Sequence, residues 1–409
     1  MNSTKRKRRA CHRGLLMAGV MGLWLGTGCE QAPPAQPPSA ATTQASPAAA
    51  APAQPADTAQ QGGTAGQPAT SQPVPIAPPP LPPLKRPTGT FLDREDPAAV
   101  RLLNYNIKWN SIFMDVDPRH ARRFARVLRA VDPDVVALQE IGVHPQDRGK
   151  AGARKRRAEE VAAVLNVVLP LPQGQAWHAH QGHSNVVAAR FPLKQTRDKL
   201  VPAGERDLAI ALVDLPDDRF AVDLYVLNNH FKCCDGERND PLRQQQADAI
   251  VAWLRDVRTA GGEIDLPGRT PIAVVGDLNL VGGPRPLQTL LTGDILDEER
   301  YGPDLAPDWD DSPLADLRPR HNLTGVEDWT WRDDTQQWPP GRLDFILYTD
   351  SVLHPVKSFV LNTTTMEPDE LAAAGLERLD VCQDDTGAEY DHLPLVVDFL
   401  VGTAAPVAP

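Results

Sequence analysis

The run Ile272-Ala-Val-Val-Gly-Asp-Leu-Asn-Leu280 constrains this chain more than any other stretch. Residues Ile272 to Gly276 are apolar or small and read as a fully buried strand. Asp277 and Asn279 follow, one residue apart. On an extended segment residues i and i+2 point the same way, so a carboxylate and a carboxamide emerge together at the rim of a sheet. Ligands of open α/β folds collect at such rims. The pair could activate a water and hold it in place, although Gly-Asp-x-Asn also makes an ordinary turn. The rest of the chain decides between them.

Residues 1–28 read as an export signal. Lys5-Arg-Lys-Arg-Arg9 is a basic start, and Leu15 to Leu25 is an apolar stretch too short to span a bilayer. Gly26-Thr-Gly-Cys29 then places small residues ahead of a cysteine. This resembles a bacterial lipoprotein signal, which implies a lipid on Cys29 and an exported protein of the cell envelope, at the outer membrane. The leucine is four residues before the cysteine rather than the usual three, and plain secretion is the alternative. From residue 29 to 96 the chain is rich in Pro, Ala, Gln, Thr and Gly, and holds too little apolar material to bury. It reads as a tether holding a domain off a membrane.

Residues 97–402 are long enough for one large domain with its own core, followed by a short tail at 403–409. The whole chain has net charge −11; the six basic residues of 1–28, a segment without acids, leave −17 on the remainder. Such a charge argues against bulk electrostatic binding of nucleic acid and is compatible with a metal site built from carboxylates.

Within this domain strand-like and helix-like patterns alternate. Strands are expected at Arg101–Ile107, Val135–Leu138, Asn185–Ala189, Leu208–Leu215, Val222–Asn228, the Ile272 run, Leu343–Tyr348, Val356–Leu361 and Leu395–Leu400. Helical spacing is seen at Phe124, Val127, Leu128 and Val131 behind Asp117-Pro118, and at Val161, Val164, Leu165 and Val168. It recurs at Ala247, Ile250, Val251 and Leu254 behind Asp240-Pro241. Mixed elements in one long domain predict a layered α/β or α+β sandwich.

Several strands end in an acid, an amide or a histidine: Asn106, Glu140, His230, Asp277 with Asn279, Asp344, and Asp391-His392. A hard divalent cation needs oxygen ligands, which Asn106, Glu140 and Asp391 could supply. A phosphoryl centre needs charge neutralisation and proton transfer, which the metal, His230 and His392 could provide.

Taken in order, an early Asn, Gln139-Glu140, Asn228-Asn-His230, Gly276-Asp-Leu-Asn279, Asp344-Phe-Ile346 and Asp391-His392 resemble the endonuclease/exonuclease/phosphatase superfamily over about 99–401. The resemblance implies an α+β, four-layered α/β/β/α sandwich with the site at one end of its paired sheets. It implies that Glu140 holds Mg²⁺ (Mn²⁺ or Ca²⁺ being alternatives) with help from Asn106, and that Asp391 binds the metal directly or through water. Asp277 would orient or deprotonate the attacking water, with Asn279 positioning it. His392, oriented by Asp344, would bond a non-bridging phosphate oxygen, and His230 would assist the leaving oxygen. Histidine at 230 resembles the deoxyribonuclease I and sphingomyelinase branches. Asn185 aligns with a family Asn before a strand and is a candidate substrate contact. Tyr390 stands where the family commonly has Ser.

Arg154-Lys-Arg-Arg157 follows Glu140 by a short loop and opens a helix, where basic residues are unfavourable. That mismatch gives Arg154, Lys155, Arg156 and Arg157 a candidate role facing phosphate. Cys233, Cys234 and Cys382 flank the site segments, and in an oxidising compartment one of the vicinal pair is expected to bond Cys382.

The sequence thus predicts an exported, lipid-anchored, monomeric phosphodiester hydrolase, first of all a nuclease acting on nucleic acid. A phospholipid or sphingomyelin phosphodiesterase, another phosphatase, and an inactive binding module are the alternatives.

Overall fold

The computed structural model describes residues 89–199 and 207–402. The export signal, Cys29, most of the tether and the 403–409 tail lie outside the described residues. Residues 89–96, expected in the tether, belong to the fold. Leu92 is 1% exposed within the main core, and Arg94 reaches Asp134 at 2.5 Å and the Asp132 carbonyl at 2.7 Å. One buried leucine and a paired arginine anchor a segment whose composition looked unable to fold.

The strands are β1 (Val100–Asn106), β2 (Val135–Gln139), β3 (His178–Gly182), β4 (Asn185–Ala189), β5 (Leu193–Lys199), β6 (Leu208–Val213), β7 (Leu224–His230), β8 (Ile272–Asp277), β9 (Ala315–Asp316), β10 (Trp331–Asp333), β11 (Asp344–Tyr348), β12 (Leu353–Val360), β13 (Glu389–His392) and β14 (Leu395–Val401). The helices are α1 (Pro118–Val131), α2 (Ala158–Val168), α3 (Asp240–Arg258), α4 (Arg285–Thr292), α5 (Glu298–Tyr301) and α6 (Pro368–Ala374). One six-stranded sheet runs β12-β14-β1-β2-β4-β3, the other β5-β6-β7-β8-β11-β9, and β10 pairs with β13 in a small ribbon. Among the described residues no helix is long and apolar enough to cross a membrane.

Alternation along the second sheet shows why the two sheets stack. Ala209, Ala211 and Val213 of β6, Val226 of β7, and Ala273 and Val275 of β8 join the core shared with the first sheet. The intervening Leu208, Ile210, Leu212, Leu227, Ile272 and Val274 pack into a second core with Ala247, Ile250, Trp253 and Leu254 of α3. Both faces of each strand are therefore buried, as near-continuous apolar runs require. Phe124, Val127 and Leu128 of α1, with Val161 and Leu165 of α2, cover the outer side of the first sheet. The layers are α/β/β/α, as the sequence implied.

Local chemistry starts the helices. Asp117 caps α1, its side chain accepting from the Arg119 and His120 amides, with Pro118 in the first turn. For α3 the cap position is Asn239, one residue earlier than expected, and Asp240 binds Arg243 from within the first turn. In α2, Glu160 reaches back to the Arg157 amide at 3.1 Å.

Not all of the core is dry. Gln139 donates to Asn104 at 2.8 Å and to Asn228 at 2.6 Å, and Asn228 donates to the carbonyls of Leu138 and Val186, each at 2.9 Å. Asn228 belongs to the second sheet and its partners to the first, so directional bonds cross the interface between them.

The cysteine pairing is corrected. Cys382 forms no disulfide with Cys233 or Cys234. Cys382 is buried in the core shared by the two sheets, its carbonyl held by Arg123 of α1. Cys233 and Cys234 lie between β7 and α3, where Arg243 holds the Lys232 and Cys234 carbonyls at 2.7 Å. Arg123 of the first sheet's helix thus fixes the Cys382 backbone, and Arg243 of the second sheet's helix fixes the backbone around the vicinal pair.

Candidate active site

Strand direction gathers the polar residues at one end of the sandwich. β1 and β2 run parallel with Asn106 abreast of Gln139, so Asn106 and Glu140 leave the first sheet together. β7 and β8 run parallel with His230 abreast of Asp277. β11 enters from the opposite direction with Asp344 opposite Asp277. The β10–β13 ribbon adds Asp391 and His392.

Asp277 is the hub, at 1% exposure. Its Oδ2 accepts from Asn106 Nδ2 at 3.1 Å and Asn279 Nδ2 at 2.9 Å, and lies 3.4 Å from His230 Nε2 and 3.6 Å from His392 Nε2. Its Oδ1 accepts the Asn279 amide at 2.9 Å. Gly276 makes this approach possible: its φ is +136°, and a Cβ there would sit 1.9 Å from the Asn229 carbonyl oxygen of the neighbouring strand.

His392 Nδ1 is 2.7 Å from Asp344 Oδ2. Burial opposes the imidazolium, but Asp344 and then Asp277 outweigh it and raise the His392 pKa well above the ordinary value. Arg342, which could have claimed Asp344, is bound to Asp316 instead. Thr330, which no sequence signal singled out, ties these strands together. Its hydroxyl accepts the Leu343 and Asp344 amides at 3.0 and 2.9 Å, and its carbonyl takes the Leu393 amide at 2.7 Å. Tyr390 is buried, its hydroxyl 3.1 Å from Thr364 Oγ1 and its ring edge-on to Trp329. It supports the backbone that carries Asp391 and His392.

Glu140 leaves β2 at φ +67° and accepts the Trp109 amide at 3.0 Å on Oε2 and Asn106 Nδ2 at 3.3 Å on Oε1. Burial first, and the negative charge of Asp391 second, raise its pKa. Two carboxylates that feel each other's charge call for a cation, and their hard oxygens suit Mg²⁺ or Mn²⁺. Asn106 turns its Nδ2 towards Glu140 and its Oδ1 accepts the Lys108 amide at 3.2 Å, so its oxygen joins the set only with the amide turned over. Asp277, Asp344 and His392 also offer ligand atoms within 4.8 Å of one another. That group, however, already has its own partners: His392, whose pKa the two aspartates raise, lies between Asp344 and Asp277. The Asn106, Glu140 and Asp391 set fits the ion better.

Three of the remaining candidates bond to other groups. Asn185 is buried at the same end of the sandwich, but its Nδ2 donates to the Asp207 carbonyl at 2.8 Å rather than to any of these side chains. Arg156 is buried, its guanidinium on Asp115 at 2.6 Å and Glu160 at 2.8 Å and stacked 4.2 Å from the Phe113 ring centre. Arg154 is exposed but bound to the same two acids at 2.9 and 2.7 Å. These two arginines secure the loop after β1 to α2 through ion pairs, which explains basic residues at a helix start. Lys155 and Arg157 are exposed.

The sequence model described as "Endonuclease/Exonuclease/phosphatase family" matches residues 103–364. Among curated proteins nothing matches the chain. Solved structures similar to it include TDP2 of D. rerio humanized by 14 mutations, at 15% identity and a TM-score of 0.44, covering 74% of this chain and 100% of that one. The human Nocturnin catalytic domain with bound sulfate is 13% identical, with a TM-score of 0.43 and coverage of 74% and 95%. An endonuclease/exonuclease/phosphatase from Beutenbergia cavernae DSM 12333 is 19% identical, with a TM-score of 0.42 and coverage of 76% and 73%. With the family match spanning more than half of its residues, the chain belongs to the endonuclease/exonuclease/phosphatase family.

Proposed function

We propose that this phosphoesterase is an exported, Mg²⁺-dependent nuclease that hydrolyses a phosphodiester by attack of water. The observation that carries the reading is the facing of two groups across the end of the sandwich. Asn106 bonds both Glu140 at 3.3 Å and Asp277 at 3.1 Å, and so links the hard-oxygen set to the Asp277–His392 pair.

Glu140 and Asp391, with the Asn106 carboxamide, would hold the metal, which when bound supplies positive charge against the phosphate. Asp277 accepts a proton from, or orients, the attacking water, and Asn279 fixes the carboxylate through two hydrogen bonds. His392 donates from Nε2 to a non-bridging oxygen, while Asp344 accepts its Nδ1 proton and so fixes the orientation of the ring. His230, abreast of Asp277, would assist the leaving oxygen by protonating it.

The test offers the purified protein plasmid DNA, RNA, sphingomyelin and a bis-aryl phosphodiester with Mg²⁺. Cleavage of nucleic acid that EDTA abolishes supports the reading. Turnover of sphingomyelin with intact nucleic acid replaces it by a lipid phosphodiesterase. Export and a lipid on Cys29 remain part of the proposal. Mass spectrometry of the mature N-terminus should find an acylated cysteine, and an unmodified N-terminus downstream of it would leave simple secretion.

A further inference from the structure

Seven tryptophans lie among the described residues. Trp177 and Trp329 belong to the core shared by the sheets, Trp253 to the α3 core, and Trp309 packs against the latter. Trp109, Trp331 and Trp338 join neither core. Trp109 follows Asn106 on the loop after β1. Trp331 is the register partner of His392 and so shares its face. Trp338, 51% exposed, lies on the loop that leaves β10 and returns where Gly341 bonds Trp331. The tryptophans that the fold does not use are thus carried on segments bordering the site.

Trp109 is the most closely defined of them. Its backbone N–H is bonded to Glu140. Lys108, Trp109 and Asn110 all have positive φ, at 47°, 37° and 64°. Asn110 locks this turn by exchanging two hydrogen bonds with Gly142, at 3.0 and 2.8 Å. The Arg148 guanidinium lies 5.0 Å from the centre of the half-buried indole. An aromatic ring held by a strained turn beside a metal ligand, with a guanidinium on its face, is a preorganised platform for a flat group joined to a phosphate.

We propose that Trp109 with Arg148, supported by Trp331 and Trp338, is the substrate-recognition surface of this enzyme, and that it takes unstacked bases of a single-stranded nucleic acid. The assignment rests on the nuclease reading above and adds the substrate class to it. A remainder with net charge −17 gains little from long-range attraction to a polyanion. Base–indole stacking needs no net charge and contributes on the order of 1–3 kcal/mol per base. Bases within a duplex are already stacked on one another, so an indole beside the metal ligands can meet a base face only on an unpaired strand. A bilayer fits the rim less well: Trp109 and Trp331 are half-buried, and Lys108 bound to Glu389 and Arg332 bound to Asp334 place charge beside them.

Binding is measured with EDTA present, by anisotropy, on the wild type and on Trp109→Ala, Trp109→Phe and Arg148→Gln. The probes are a mixed-sequence single strand, an abasic strand of the same length, and phosphatidylcholine–sphingomyelin vesicles; cleavage of both strands is then followed with Mg²⁺. The wild type should bind the base-bearing strand about tenfold or more tighter than the abasic one. Trp109→Ala should remove most of that difference and leave abasic binding within about twofold, and Trp109→Phe should restore much of it. Arg148→Gln should weaken both strands, because it loses a phosphate contact. Equal wild-type affinity for the two strands, or equal loss on both in Trp109→Ala, overturns the assignment even if both strands are cleaved. Vesicle binding without a base preference gives the rim to a membrane. A base preference without cleavage of either strand overturns the nuclease reading and leaves the platform standing.

Discussion

Asp344 and Asp277 face each other across the β8–β11 register, and one imidazole serves both: His392 Nδ1 is 2.7 Å from Asp344 and Nε2 3.6 Å from Asp277. The two carboxylates differ in what else they touch. Asp277 carries Asn106, Asn279 and His230, whereas His392 is the side chain bonded to Asp344. A substrate that enters beside Nε2 meets a proton donor whose far side is fixed.

Asp344→Asn should therefore lower kcat about tenfold or more with little change in KM, because the orientation and charge of His392 are no longer held. His392→Ala should cost roughly two orders of magnitude or more in kcat. Steady-state kinetics on a small phosphodiester, with circular dichroism to check folding, decides it. A His392→Ala protein with half the wild-type kcat removes the residue from the mechanism.

Glu140 and His392 make metal-free stability depend on pH in the same direction. Both have folded pKa values raised above their ordinary values of 4.5 and 6.5. Each contribution is therefore full below the unfolded pKa and lost as pH rises through the folded one. A cation competes with the proton on Glu140. The increase in Tm on replacing EDTA by Mg²⁺ should be larger at about pH 8 than at about pH 5, and should largely vanish in Glu140→Gln. A pH-independent shift, or one unchanged in Glu140→Gln, places the ion elsewhere.

Arg156 and Arg154 share partners but not surroundings, their side chains being 5% and 62% exposed. Arg156→Gln should lower stability by about 2 kcal/mol, since it leaves a buried site next to Phe113 without its charge-assisted bonds. Arg154→Gln should leave the chemical-denaturation midpoint unchanged within error. Equal effects would mean that the loop after β1 is not held through Arg156.

Burial pushes the Cys382 thiol up to about 12, while Cys233 is half-buried and Cys234 exposed. Iodoacetamide at about pH 8 should add two groups to the native domain and a third only after unfolding. A peptide linking Cys382 to Cys233 or Cys234 would contradict the unbridged Cys382.

Gly276→Ala should prevent folding or cost about 3 kcal/mol or more, because the added carbon meets backbone rather than a movable side chain. A folded variant with unaltered Tm would show that β7 and β8 can separate there.

The layers and most strands were legible because buried strands such as Ile272–Asp277 are apolar on both faces. β3, β5 and the β10–β13 ribbon were not anticipated. His178-Ala-His-Gln-Gly182 and Leu193-Lys-Gln-Thr-Arg-Asp-Lys199 form edge strands, and their polar residues carry no period-2 signal against a core. The chemistry-bearing residues could be read because each lies at a strand terminus or in a short motif, although Asp344 opens β11 rather than closing a strand as expected. Thr330 could not: a hydroxyl that accepts two amides in a turn leaves no periodic trace. For two residues of the basic run, Arg154 and Arg156, the ion pairs were not legible in the sequence, for a physical reason. Their acid partners, Asp115 and Glu160, are distant or inconspicuous in sequence, and only folding puts them within reach of the arginines.

The Gln139–Asn228 contact has a bearing on how this enzyme could be improved or spoiled. Glu140 comes from one sheet and Asp277 from the other, so their separation depends on how far one layer can slide over its neighbour. Aliphatic contacts resist parting but not gliding, whereas the amide bonds of Asn228 work like a dowel between two boards. A variant with leucine at 228 and a matching apolar residue at 139 could melt later than the parent. It would still be the poorer catalyst, having gained cohesion and lost alignment.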